Sequence, residues 1–210
     1  MIPLLVGIAG GSGSGKTTLA HGLVQALPAG QALVVAHDSY YRDLAHLPLE
    51  ERGRQNFDEP AALDNQQLLD DLLRLRRGRA IDCPGYDFVT HTRLPSTTRV
   101  EARPIILVEG ILVLAVPALR EAFDFTVYVD ACQSIRWDRR VRRDVGERGR
   151  TRAGVTAQFF GVTQPMHEAH VAPSKDYADL VVSGAQDIGE AIGTVALRIA
   201  RFLSGAGREP

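Results

Sequence analysis

Gly10-Gly-Ser-Gly-Ser-Gly-Lys-Thr17 follows the apolar run Leu4–Ala9 and precedes a helix-like stretch, Thr17–Leu27, which Pro28 and Gly30 stop. The octet fits the pattern G-x-x-x-x-G-K-[ST] in its required context, a strand before it and a helix after it. Its glycines let successive backbone N–H groups of Gly11, Ser12, Gly13, Ser14 and Gly15 turn inward around phosphate oxygens. The helix start, at Lys16, Thr17 and Thr18, adds the positive end of its dipole. Lys16 would reach the outer phosphates and the Thr17 hydroxyl would hold Mg²⁺. Only two of 24 basic residues, Lys16 and Lys175, are lysines. In a chain that otherwise writes its cations as Arg, the loop keeps a compact ammonium.

Outward from the loop, short apolar runs alternate with helical patterns. Strands are expected at Ala32–Ala36, Ile105–Val108, Phe125–Val129 and Leu180–Val182. Helices are expected after Asp64, where Leu68, Leu69, Leu72 and Leu73 share a face, from a cap at Asp130–Gln133 to about Val145, and over Ile188–Leu203. The segment 80–100 reads as a hairpin insertion with turns at Pro84-Gly85 and Pro95. The order implies one α/β domain over residues 1–210, a doubly wound parallel sheet with helices on both faces. The tail Gly205–Pro210 is expected to fray.

Composition narrows the class. A hydrophobic fraction of 45% with only 6% aromatic residues suits strands covered on both faces. A net charge of −1 provides no global field toward nucleic acid or an anionic membrane, so neither is expected as a partner. Two separated cysteines, Cys83 and Cys132, fit a reducing compartment, and no apolar run has the length of a membrane span. The expected location is cytoplasmic. His167-Glu-Ala-His170 is not a metal motif and reads as a polar helix face.

A phosphate loop alone does not name a reaction. No N-K-x-D guanine reader is present, which argues against a switch GTPase. Asp38 falls at the carboxyl end of the second strand, where it could accept a proton from an attacking hydroxyl or simply form a turn. Glu109 ends the next strong strand and could bind Mg²⁺ or be a solvated strand end. Eight arginines stand between 136 and 152, with Arg136, Arg139, Arg140 and Arg143 on one helical face. They read as a lid over phosphates (about 136–165), as a nucleic-acid patch, or as a solvated face balanced by Asp138, Asp144 and Glu147. The neighbouring loop favours the lid.

Several stretches in this order resemble the uridine kinase family of P-loop kinases. They are His37-Asp-Ser-Tyr-Tyr-Arg42, Asn56-Phe-Asp-Glu-Pro60, Tyr86-Asp-Phe-Val-Thr-His-Thr-Arg93, Val108-Glu-Gly-Ile-Leu112, Arg139-Arg-Val-Arg-Arg-Asp144, Glu147-Arg-Gly-Arg150 and Pro173-Ser-Lys-Asp-Tyr-Ala-Asp179. The resemblance implies a P-loop NTPase fold and transfer of phosphate from ATP or GTP to the 5′-hydroxyl of uridine and cytidine. It makes Asp38 the base and puts Tyr41, Phe57, Tyr86, His91, Arg140, Arg150 and Gln158 against nucleoside. It puts Asp58 at the ribose and Arg143 and Arg148 at phosphate, and it implies a homo-oligomer, often a tetramer. Gly85, Phe159, Gln164 and Ser183 depart from the family pattern.

Overall fold

A computed structural model describes residues 2–185 and 187–204. Its main sheet has five strands: β1 (Leu4–Ala9), β2 (Ala32–Ala36), β5 (Ile105–Glu109), β6 (Phe125–Asp130) and β7 (Leu180–Ser183). They lie in the order β2-β5-β1-β6-β7, and every pairing is parallel. The pleat divides the strands between two cores. Leu4, Val6 and Ile8 of β1 face the helices Lys16–Ala26 and Ile188–Leu203. Leu5 and Ala9 face the opposite side, with Leu68, Leu72 and Leu75 of the helix Asn65–Arg76. The expected doubly wound sheet is therefore present, and the end of β1 is where the strand order reverses.

Register decides where the chemistry can gather. Ile8 of β1 and Ala36 of β2 both align with Glu109 of β5. The loop after β1, the turn after β2 and the last residue of β5 thus emerge together at the carboxyl edge, the usual ligand edge of such a sheet. Asp38 lies in a 3₁₀ turn, His37–Tyr40, that follows β2 directly.

The hairpin at 80–100 forms from β3 (Ile81–Asp87) and β4 (Thr92–Val100), but its turn is not where Pro and Gly suggested. Pro84 and Gly85 lie inside β3, at an irregularity in the pairing, and Pro95 lies inside β4. A two-stranded ribbon has two open edges, so a missing N–H costs it little. The reversal occurs at Phe88–His91 instead. There Asp87 accepts from Val89 N and Thr90 Oγ1, and His91 takes φ 55°. Asp side chains make such turns by mimicking backbone. At Gly85 a Cβ would press on Leu94 Cδ1 at 2.8 Å, so a larger residue there would make the half-exposed Leu94 side chain shift.

The Asp64 cap holds: its Oδ1 accepts from Gln67 N at 3.1 Å. The cap expected from Asp130–Gln133 does not form. The helix there runs Gln133–Glu147 with no side-chain cap bond, and the Asp130 carboxylate accepts from Lys175 Nζ at 2.6 Å. Residues 152–177, where only His167–His170 was expected to be helical, form a nearly continuous helical stretch. It contains two π turns, Phe159–Thr163 and His167–Val171. Among the described residues no helix is long and apolar enough to cross a membrane. The tail Gly205–Pro210 lies outside the described residues.

Candidate active site

The loop after β1 is tightly determined by its backbone. Gly10, Gly13 and Gly15 have φ of 147°, 82° and 102°, which only glycine adopts without strain. A Cβ at Gly13 would also collide with the Arg136 carbonyl. Ser14 N donates to the Gly11 carbonyl at 2.9 Å, and the helix starts at Lys16. Lys16 is almost fully buried, with its ammonium 4.0 Å from Glu109 Oε2. Thr17 Oγ1 donates to the same oxygen at 3.1 Å. Burial pushes the Glu109 carboxyl upward in pKa, Asp38 adds to that, and the Lys16 charge opposes it. These hydroxyl and carboxylate oxygens, beside an anion cradle, are hard donors of the kind that Mg²⁺ takes.

Two clefts meet over this edge. One, of about 1140 Å³, is lined by Gly13, Gly15, Lys16, Thr17, Thr18, Asp38 and Glu109, and by Arg139, Arg140, Arg143 and Arg148. The other, of about 590 Å³, is lined by Ser12, Lys16, Asp38, Tyr41, Phe57, Asp58, Tyr86 and His91. Phe88, Ile111, Arg140, Arg143, Arg148, Arg150 and Gln158 complete it. Asp38 and Lys16 line both. Of the loop residues, Gly10, Gly11 and Ser14 line neither. Gly11 is packed against Arg136 and His167, and Ser14 Oγ is buried without a partner.

The smaller cleft has an aromatic wall with polar atoms left open in it. Tyr41 packs on Phe57, Tyr86 and Phe88 with ring centroids 5.6, 5.2 and 6.4 Å apart. His91 stacks on Phe57 at 4.6 Å and 20°. Burial, then the Arg150 charge, lowers the His91 pKa, so the ring is neutral near pH 7. Its Nδ1 and the Tyr86 hydroxyl are both buried without a hydrogen-bond partner. Burial pushes the Tyr86 phenol up to about 12, so it keeps its proton. Unpaired buried polar atoms are costly, and ones that line a cleft mark where a ligand's polar edge would bond. Asp58 is buried as well, and its Oδ2 accepts from Thr163 Oγ1 at 2.8 Å.

Of the eight arginines only Arg142 and Arg152 are exposed, so the set is not a solvated face. Arg136 donates to the Ala131 carbonyl and to Gln164 Oε1, and Arg139 donates to the Ser14 and Gly184 carbonyls. These two brace the loop. Arg140 donates to Ser12 Oγ at 3.3 Å and, with Arg150, to Gln158 Oε1 at 3.1 and 2.9 Å. Asp144, expected to balance the face in solvent, is instead fully buried. Asp138 does remain outside, paired with exposed Arg142 at 2.8 Å. His167-Glu-Ala-His170 lies in a π turn, and no three His, Cys, Asp or Glu side chains cluster as a metal site among the described residues.

Sequence reasoning missed Phe88, which lines both clefts, Ile111 of the smaller cleft, Ser39 of the larger one, and the burial of Asp144. Phe88 stands two residues beyond Tyr86, the spacing that puts strand residues on one face. Asp144 stands four beyond Arg140, a helical pairing distance, which could have singled it out.

The sequence profile described as the phosphoribulokinase / uridine kinase family matches residues 5–188. A uridine kinase of Chloroflexus aggregans is 47% identical over 201 residues, spanning 96% of this chain and 96% of that protein. A uridine kinase of Geobacillus kaustophilus is 45% identical over 187 residues, spanning 89% of each. Among solved structures, the D-glycerate 3-kinase of Cryptococcus neoformans superposes with a TM-score of 0.65 at 17% identity, covering 89% of this chain and 88% of that one. At that identity the likeness speaks to fold alone.

Proposed function

The chain belongs to the phosphoribulokinase / uridine kinase family, and from that premise we propose that it transfers the γ-phosphoryl group of ATP or GTP to the 5′-hydroxyl of uridine and cytidine. The observation that carries this reading is the junction. Asp38 and Lys16 line both the loop cleft and the aromatic cleft, so a donor and an acceptor would meet between them. An in-line transfer asks the protein for positioning and charge stabilisation rather than covalent chemistry.

Each residue then has a task. Asp38 accepts the proton that leaves the attacking hydroxyl. Lys16, Arg143 and Arg148 spread positive charge over the migrating group, with the loop N–H groups of Gly11–Gly15 and the start of the helix at Thr17 and Thr18 around the donor phosphates. The Thr17 hydroxyl and Glu109 carboxylate would hold Mg²⁺, which neutralises phosphate charge when bound. On the acceptor side Tyr41, Phe57 and Tyr86 enclose a flat ring, while His91 Nδ1 and the Tyr86 hydroxyl meet its polar edge. Asp58 orients the ribose through its free oxygen, and Arg140, Arg150 and Gln158 close the remaining side.

Within this reading, residues 1–210 act as one kinase domain, the hairpin at 80–100 supplies the nucleoside wall, and residues 136–165 act as a lid. The enzyme would serve pyrimidine salvage in the cytoplasm, as a homo-oligomer. The engagement of Arg136, Arg139, Arg140 and Arg150 within the fold leaves little free Arg face for nucleic acid.

The test is a phosphotransfer screen with Mg-ATP and Mg-GTP over uridine, cytidine, phosphoribulose, pantothenate and D-glycerate. UMP and CMP are the expected products. Transfer to another alcohol, with none to either nucleoside, would overturn the acceptor assignment.

A further inference from the structure

The helix Gln133–Glu147 ends in a cluster that none of the tasks above explains. Asp144 has no exposed surface, yet four arginines converge on it. Arg143 donates to its Oδ1 at 2.9 Å, and Arg148 Nη1 lies 3.7 Å from the same oxygen. Arg140 Nε and Arg150 Nη1 lie 3.5 and 3.6 Å from Oδ2, which has no hydrogen bond of proper geometry, so that attraction is Coulombic. The backbone arranges this return. Gly149 takes φ 63°, and Arg150 N donates to the Asp144 carbonyl at 3.1 Å, folding Arg148 and Arg150 back onto the helix they follow.

Asp144 lines neither cleft, but all four of its partners do. Arg150 lines only the acceptor cleft, while Arg140, Arg143 and Arg148 line both. Four positive charges against one negative would repel one another without the carboxylate, and three of them are exposed enough to swing into solvent. We infer that Asp144 is a positioning residue that ties the acceptor-side Arg150 to the donor-side arginines as one unit, so that filling one cleft aims the charges of the other. The inference rests on the kinase reading, and it gives the arginine set a single mechanical anchor.

The test compares Asp144→Asn and Asp144→Glu with the unmodified protein, using uridine as acceptor and Mg-adenylyl imidodiphosphate, an ATP analogue that cannot transfer, as donor probe. Asp144→Asn should lower kcat about 100-fold, the effect of misplacing aligned groups by about an ångström. It should bind the analogue no more weakly, because a negative charge has left the neighbourhood of phosphate. Uridine should tighten analogue binding in the unmodified protein and not in Asp144→Asn. Asp144→Glu, which keeps the charge, should recover most of kcat.

The analogue should also raise the melting temperature of Asp144→Asn more than that of the unmodified protein, since bound phosphate replaces the missing anion. That readout needs no acceptor, so it stands even if uridine proves not to be the substrate. Near-normal kcat, an equal or smaller thermal shift, or kcat and analogue affinity falling together would each overturn the inference. If Asp144→Asn does not fold, Arg150→Gln decides. Its side chain is 26% exposed and lines only the acceptor cleft, yet its loss should lower kcat at saturating uridine. An effect confined to KM for uridine would count against the shared anchor.

Discussion

The proposed donor loop and acceptor pocket touch at Asp38 and Lys16 but are made in opposite ways. The loop is eight consecutive residues whose shape is set by backbone: three glycines with positive φ, and a carbonyl from Arg136 where a Cβ would stand. The pocket takes side chains from separate segments: Asp38 and Tyr41 after β2, Phe57 and Asp58 from the long connection, Tyr86 and His91 from the hairpin, and Arg140, Arg150 and Gln158 from beyond β6. A backbone cradle recognises phosphate whatever it is attached to. A wall of side chains can match one acceptor, because every unpaired polar atom in it penalises the wrong ligand. In the proposed reaction the generic half is therefore local in sequence, and the selective half is dispersed.

That contrast can be broken most directly at the junction. Asp38→Ala should reduce kcat about 1,000-fold, within the usual range for a general base, while ATP affinity measured by calorimetry stays close to normal. Near-normal turnover would remove Asp38 as the base. Lys16→Ala belongs to the donor half, and it should lower kcat about 100-fold and weaken ATP binding, with KM for nucleoside little changed. Unchanged ATP affinity and rate would contradict the loop assignment.

On the acceptor side, His91→Ala removes both a stacking partner of Phe57 and the open Nδ1. The loss of one such bond is worth about 1–3 kcal/mol, so kcat/KM for uridine should fall roughly 10- to 100-fold with ATP affinity intact. If ATP affinity fell equally, the two halves would not be separable as described.

The smallest effect sharpens the comparison through pH. Burial lowers the pKa of His91 in the aromatic wall, of His37 in the turn that holds Asp38, and of His167, which packs against Gly11 of the loop. His167 falls to about 4 from an ordinary 6.5. A histidine whose folded pKa is lowered binds protons more readily when unfolded. Its stabilising effect is present in full above the unfolded value and is lost as pH falls through the window down to the folded one. The denaturation midpoint should drop between pH 6.5 and about 4, and His167→Asn should flatten part of that slope. A slope untouched by the substitution would put the acid sensitivity elsewhere.

Much of the frame was legible before any coordinates. Aliphatic runs of strand length, each followed by a glycine, a carboxylate or a cap, located all five sheet strands. The hairpin was legible as an element but not in its turn. Proline and glycine usually signal reversals, yet a two-stranded ribbon tolerates both inside its strands, and Asp87 with Thr90 made the turn by side-chain hydrogen bonds. The helical stretch from 152 to 177 was anticipated only at the helix face His167–His170. Its Pro165 and Pro173 and its two π turns interrupt a regular period of 3.6.

By itself, then, the sequence determined the glycine loop between strand and helix and the parallel sheet, because both follow from nearest neighbours along the chain: glycine's freedom at positive φ and the alternation of apolar runs with helices. It also named carboxylates and arginines in plausible places, without saying which would meet. Only the tertiary structure decided that Ile8, Ala36 and Glu109 align so that Asp38 and Lys16 share two clefts. Only it decided that Asp144 is buried under four guanidiniums rather than balancing them in water. Charge attraction and burial depend on distance through space, and strand register and one glycine turn set those distances where sequence spacing cannot.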